Sequence, residues 1–215
     1  VHKQRWRNSY TWYPAFGSSK PLKKLGFTTA IKASTELKLA TKSKKISCTG
    51  ETSTGEYSGL RTVAGVALTL TGCDKSTTKT SESCQGTGAK EGEVVTDTLD
   101  GELGIIETSK NGPAENKIGL DLEPASGEAI AEFHCGSTFV SVEGSVIVQV
   151  TTDKLVGTET LKYTQAIDVQ KPSHFEGGAE DVLQAKFGAA SFEQMGLTLT
   201  TTQKNEETVE VNSVV

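Results

Sequence analysis

The chain has 215 residues, a net charge of −5, 35% hydrophobic residues and four cysteines. That length can bury one large or two small cores, and no apolar run approaches the roughly eighteen residues of a membrane span, which excludes a helical membrane protein. An even cysteine count, 22 glycines and many threonines point to an exported, strand-and-turn protein in an oxidising compartment. Val1 is not an initiator, so the chain reads as already processed and secreted, in solution or on the cell surface.

Residues 1–26 read as an extended N-terminal arm, and 27–215 as a β domain or two packed β modules. The arm carries Lys3, Arg5, Arg7, Lys20, Lys23 and Lys24 with no acid, and both tryptophans of the chain. Without the seven basic residues that precede Glu36, the first acid, the remainder of the chain carries −12. A basic arm therefore leads an acidic body. Its candidate partner-binding residues are Arg5, Trp6, Arg7, Tyr10, Trp12, Tyr13 and Phe16. One reading has them fill a groove on their own domain. A second has the arm add a strand to the open sheet edge of a neighbouring copy, a docking that opposite charges favour. Binding of nucleic acid is disfavoured, because the acidic body repels it.

Leu25 to Ser47 predicts two or three strands, with a solvated turn at Lys42, Lys44 and Lys45. Glu51 to Arg61 reads as short strands joined by tight turns. From Gly65 to Cys73 the residues alternate strictly, with Val66, Leu68 and Leu70 on one face, the mark of a half-buried strand. The apolar-free stretch from Asp74 to Ser83 reads as a solvated loop that Cys84 closes. The preferred bridges are therefore Cys73–Cys84 and Cys48–Cys135, though four cysteines allow two other pairings. A zinc site is disfavoured, since no two cysteines lie within ten residues of each other.

The run SCTGETSTGEYSGLRTVAGVALTLTGC and the stretch from Cys84 to Gly104 resemble a group of uncharacterised secreted proteins of soil actinobacteria. The later pieces GLDLEPASGEAIAEFHCG, FEGGAEDVLQA and FEQMGLTLTTTQKNEETVEV are similar to the same group, so the likeness covers roughly Thr35 to Val211. It implies export and a β-rich fold. It implies no activity, and no catalytic residue carries over.

Further on, Glu93 to Leu99 predicts a strand, and Asp100-Gly101 a hairpin turn before Glu102 to Glu107. Asn111-Gly112-Pro113 predicts another turn. Ile118, Leu120 and Leu122 alternate with Asp121 and Glu123, whose carboxylates share an outward face. Calcium would need more oxygens than that pair supplies. Val140 to Val150 is the longest strand pattern, with a bend at Gly144. Asp181 to Lys186 predicts a helical turn or short strand. Gly196–Thr202 and Thr208–Val215 predict a hairpin turning at Gln203-Lys204-Asn205.

No catalytic motif emerges. His2, His134 and His174 lie in no recognisable triad, and pairs such as Glu102/Glu107 or Glu176/Glu180 are too common to mark a hydrolase. The expectation is an all-β, antiparallel, disulfide-bonded protein, a sandwich or two packed β modules, with no enzyme activity, metal or cofactor. Its expected role is structural: a secreted protein whose partners are other copies of itself. The alternatives are a monomeric module that binds a glycan or other extracellular ligand, and a hydrolase.

Overall fold

The computed structural model describes residues 10–32, 37–42, 44–76, 81–111 and 115–213. Among the described residues every strand pairing is antiparallel, and a short 3-10 turn lies at Leu22–Lys24. The strands are β1 Tyr10–Pro14, β2 Gly26–Ile31, β3 Leu37–Ala40, β4 Lys45–Cys48, β5 Gly50–Tyr57, β6 Thr62–Thr71, β7 Asp74–Ser76, β8 Ser81–Gly86, β9 Val94–Val95 and β10 Leu99–Glu107. They continue with β11 Lys117–Pro124, β12 Ala129–Cys135, β13 Thr138–Glu143, β14 Val146–Gln149, β15 Val156–Ala166, β16 Val169–Lys171, β17 Gln184–Phe187, β18 Glu193–Gln194 and β19 Gly196–Ser213.

The ladders trace two circuits. The first runs β19, β2, β5, β6, β10, β11, β14, and returns through β15 to β19. The second runs β3, β4, β7, β8, β12, β13, β17, and closes on the segment formed by β18 and the start of β19. Their interiors merge around Leu68, Leu99, Leu122, Tyr163, Met195 and Leu199, which line an apolar void of about 60 Å³. That void is well below the 150 Å³ or so of an engineered cavity that binds benzene, so it is a packing gap where the circuits meet.

β19 is the wall common to both circuits. Its eighteen residues include the three expected to form a turn. Gln203 and Asn205 are buried instead, because β15 and β2 pair with β19 through this region on opposite sides. Leu197, Leu199, Val209 and Val211 therefore occupy one face of one strand. Other turn signals are overridden likewise. Asp100 and Gly101 lie within β10, where Gly101 packs against Leu120, Leu122 and Val63 too closely to admit a side chain. Glu51 to Tyr57 is one strand, while the predicted Glu93–Leu99 strand shortens to β9. Asp181–Lys186 resolves to the short strand β17. The long valine pattern does break at Gly144, whose φ of +99° passes the chain from β13 in the second circuit to β14 in the first.

The cysteine pairing differs from the preferred one. The bridges are Cys48–Cys73 and Cys84–Cys135. The stretch after Cys73 is not all loop: β7 and β8 pair there, and Cys84 N–H donates to Cys73 O at 2.8 Å. Cys73 and Cys84 thus face each other as a hydrogen-bonded pair, in which Cα atoms stand about 5.5 Å apart. The observed bridges take closer cross-strand pairs, with Cα separations of 4.0 and 3.9 Å. β4–β7 and β5–β6 share one register, so Cys48 falls opposite Cys73 where the chain crosses between circuits.

The described part of the arm packs against its own body. β1 pairs antiparallel with the end of β19, Tyr10 opposite Ser213 and Pro14 opposite Val209. Trp12 is buried with its ring 5.1 Å from that of Tyr57, and its N–H donates to Leu60 O at 2.7 Å. Tyr13 and Phe16 are exposed. Arg5, Trp6 and Arg7 lie outside the described residues.

Two checks follow from this architecture. Non-reducing peptide mapping should return Cys48–Cys73 and Cys84–Cys135. In urea denaturation, replacing the first pair by serine should cost about 3.5 kcal/mol and the second, which closes the longer loop, about 4 kcal/mol.

Candidate strand-acceptor seam and acidic groove

The first circuit lacks a ladder at one junction among the described residues, that between β14 and β15. The register identifies which peptide groups face this seam. Val150 N–H donates to Ile118 O in β11, so the peptide groups of Ile147 and Gln149 point the other way. Lys32 N–H donates to Thr200 O, which turns Leu199, Thr201 and Gln203 toward β15 and pairs them with Tyr163, Leu161 and Glu159. The peptide groups of Thr158, Thr160 and Lys162 then face the seam. An outer groove of about 530 Å³ runs along it, lined by Gln149, Thr151, Thr160, Lys162, Thr164 and Pro172. At its foot Glu159 accepts Thr151 N–H at 3.2 Å, and burial raises the Glu159 pKa. Behind it Val148, Leu161 and Tyr163 are buried, so the groove is open on the outside only. Two facing edges with unpaired donors and acceptors are what an added strand requires.

Beyond β14 lies a patch of negative charge. β10 and β11 set Asp100 opposite Glu123 and Glu102 opposite Asp121. Like charges directly opposite on a sheet face are destabilising. These four carboxylates line a groove of about 510 Å³ with Ser58, Thr62 and Phe175. Asp121 Oδ1 is shielded from solvent and has no hydrogen-bond partner. Burial is the main cause that lifts the Asp121 pKa to about 6, with Asp181, Glu123 and Glu102 adding to it and Ser145 pulling the other way. Burial also raises Asp181, and His174 opposes that shift.

The segment from Lys171 to Asp181 straps over this region. Phe175 lies on Gly104, where a β-carbon would collide with the ring. Glu176 accepts Ile105 N–H and pairs with Arg61, both at 3.2 Å, and Arg61 also meets Glu102 at 3.3 Å. The outward placement of Asp121 and Glu123 was legible from alternation. Their alignment with Asp100 and Glu102 was not, because Asp100-Gly101 reads as a turn. The structure thus gathers Glu102 and Glu176 through Arg61, while Glu107 pairs with Lys117 and Glu180 approaches Lys171. Among the described residues no cluster of His, Cys, Asp and Glu has the arrangement of a metal site.

No known protein family, curated protein or solved structure matches this chain.

Asp121 binds its proton more tightly in the folded chain than in the unfolded one. Its stabilising contribution is therefore complete below about pH 4 and is lost as the pH rises through about 6. Asp121→Asn should melt with wild type near pH 4 and be the more stable protein at pH 8, by about 1–2 kcal/mol, in paired urea titrations.

Proposed function

We propose that this is an extracellular structural protein that self-associates, with the basic segment preceding β1 in one copy adding a strand to the β14–β15 seam of the next. The unpaired seam is the observation that carries this reading. A strand laid there would find backbone partners on both walls once β14 and β15, whose Cα atoms approach within 8 Å, spread to admit it. Its side chains would run past an acidic neighbourhood, since Asp121 lies directly across from Ile147 of β14. Arg5 and Arg7 supply the complementary charge, and Trp6 the apolar area. Nine residues reach about 30 Å when extended, which exceeds the length of the seam. In this reading Tyr10 to Pro14 stay in their own barrel as the anchor, and the residues before them are the connector. The two disulfides fit an oxidising setting outside the cytoplasm.

A second reading is a monomeric binding module whose acidic groove takes a glycan. Phe175 beside four hydrogen-bond acceptors favours it. A glycan array probed with the monomer separates the two, since the assembly reading needs no glycan.

Sedimentation of three chains tests the assembly. The full chain should form oligomers. A chain lacking residues 1–9, with β1 intact, should sediment as a monomer. Thr160→Pro should do the same with its β-sheet circular dichroism retained, because proline removes an N–H that faces the seam rather than β19. A synthetic peptide of residues 1–9 should bind the truncated chain. Equal assembly with and without residues 1–9 would overturn the proposal, as would a full chain that is monomeric throughout.

A further inference from the structure

Asp121 stands on a wall that cannot yield, under a segment that can. β11 is laddered to β10 on one side and to β14 on the other, which fixes the Asp121 backbone. From Pro172 to Asp181 the strap has no such ladder to either wall among the described residues. Its two ends are closed on each other, Asp181 N–H donating to Ser173 O at 2.8 Å and His174 bridging to Glu180. Its tip is tied to β10 by Glu176, whose N–H donates to Ile105 O at 2.8 Å and whose carboxylate accepts Ile105 N–H at 3.2 Å. Glu176 docks at a φ of +50°, in the left-handed region that a residue with a β-carbon disfavours, and Gly177 follows at +66°. Release of the tip would relax that conformation.

The charges around Asp121 come from the elements packed on it. Glu102 of β10 lies directly opposite, with Asp100 on the same strand, and Glu123 is two positions along β11. Asp181 arrives with the end of the strap and acts on Asp121 in the same sense as Glu102 and Glu123. That end is seated where the Val182 carbonyl packs on Gly144, next to Ser145. β14 contributes the uncharged Ile147. Arg61 is taken up by Glu102 and Glu176, and His174 acts on Asp181. Asp121 Oδ1 and Ser145 Oγ are shielded from solvent and have no hydrogen-bond partner among the described residues. A carboxyl group so placed is stable as the neutral acid. As the anion it has neither water nor enough donors to offset its charge, and it faces other carboxylates. Water can reach it if the strap moves away, since the ladders hold β10, β11 and β14.

We propose that the strap is a pH-operated cover, closed on β10 while Asp121 carries its proton and released as Asp121 ionises. Pro172 lines the seam groove and Phe175 the acidic groove, so release alters the border of both. The sign follows from the proton affinity of Asp121. In the closed state burial holds the proton up to about pH 6, whereas a hydrated aspartate gives it up near pH 4. Closure is therefore favoured most at low pH, weakens as the pH rises, and is weakest above about 6. Between pH 5 and pH 8 the opening constant should rise about tenfold. The cover is a property of one chain and works whether or not copies assemble.

Amide hydrogen exchange of the full chain tests this, read at Glu176, Gly178 and Asp181 from about pH 5 to about pH 8 and corrected for the intrinsic exchange rate. The opening constants of these amides should climb with pH and then level off. Low concentrations of urea should leave them unchanged, which marks a local opening and not unfolding of the whole chain. Asp121→Asn keeps the shape and cannot ionise, so its strap should stay as protected near pH 8 as the wild-type strap is near pH 5. Should that variant fail to fold, Asp181→Asn removes a charge from the strap itself and should flatten the slope. Wild-type opening constants that are equal near pH 5 and pH 8 would overturn the proposal, as would a slope that persists undiminished in Asp121→Asn.

Discussion

The hydrogen bonding of β19 is the constraint on which the rest of the molecule depends. Along one side this strand holds β3, β2 and β1 in succession, and along the other β15. Both circuits therefore include the last segment of the described chain. The first segments of the chain cannot complete their pairing until that last one is in place. Such long-range ladders close large loops before they return any contact energy, which makes folding slow and dependent on the complete chain. The crossing at Cys48 and Cys73 works against this delay. It fixes a local register shared by β4–β7 and β5–β6 before β19 arrives.

Three places depart from the local rules that the remainder of the fold obeys. The seam leaves strand edges unpaired in a circuit that otherwise closes. The outer face of β10 and β11 sets carboxylate against carboxylate. The lumen holds Glu51 where the alternation calls for an apolar side chain. Departures of this kind concentrate at functional or strained positions, because consistent local choices are what specify a fold. The seam and the acidic face are one strand apart, and the strap runs from Pro172 beside the seam groove to Phe175 and Glu176, which pack on β10 and Arg61. In the proposed assembly, a single extended peptide would meet both the unpaired backbone of the seam and the charge of the acidic face. Glu51 belongs to neither, being sealed behind the wall.

The arm shows how one stretch divides into two physical parts. Tyr10 and Trp12 are as buried as any core residue, whereas Tyr13 and Phe16, only a few positions on, are open to solvent. Alternation accounts for the contrast between Trp12 and Tyr13, which point to opposite faces of β1. The strongly basic residues all fall before that strand or in the loop after it, so the strand itself is neutral and docks as part of the barrel.

Alternation and turn chemistry, read from the sequence, determined the all-β class, the buried faces of β6 and β11, the break at Gly144 and the outward pair Asp121 and Glu123. These are local properties, set by a side-chain period of two and by the backbone freedom of glycine. Only the tertiary structure decided which strands are neighbours, and everything that follows from neighbours. It overruled the turn signals at Asp100-Gly101 and at Gln203-Lys204-Asn205, because ladders on both sides supply more hydrogen bonds than a turn can. It reassigned the cysteines, because a bridge needs a close cross-strand pair and register is a relation between distant segments. It likewise produced the seam, the acidic groove and the hydrogen bonds of Glu51 to Thr29 and Thr201, each built from residues far apart in the chain, whose adjacency no local pattern encodes.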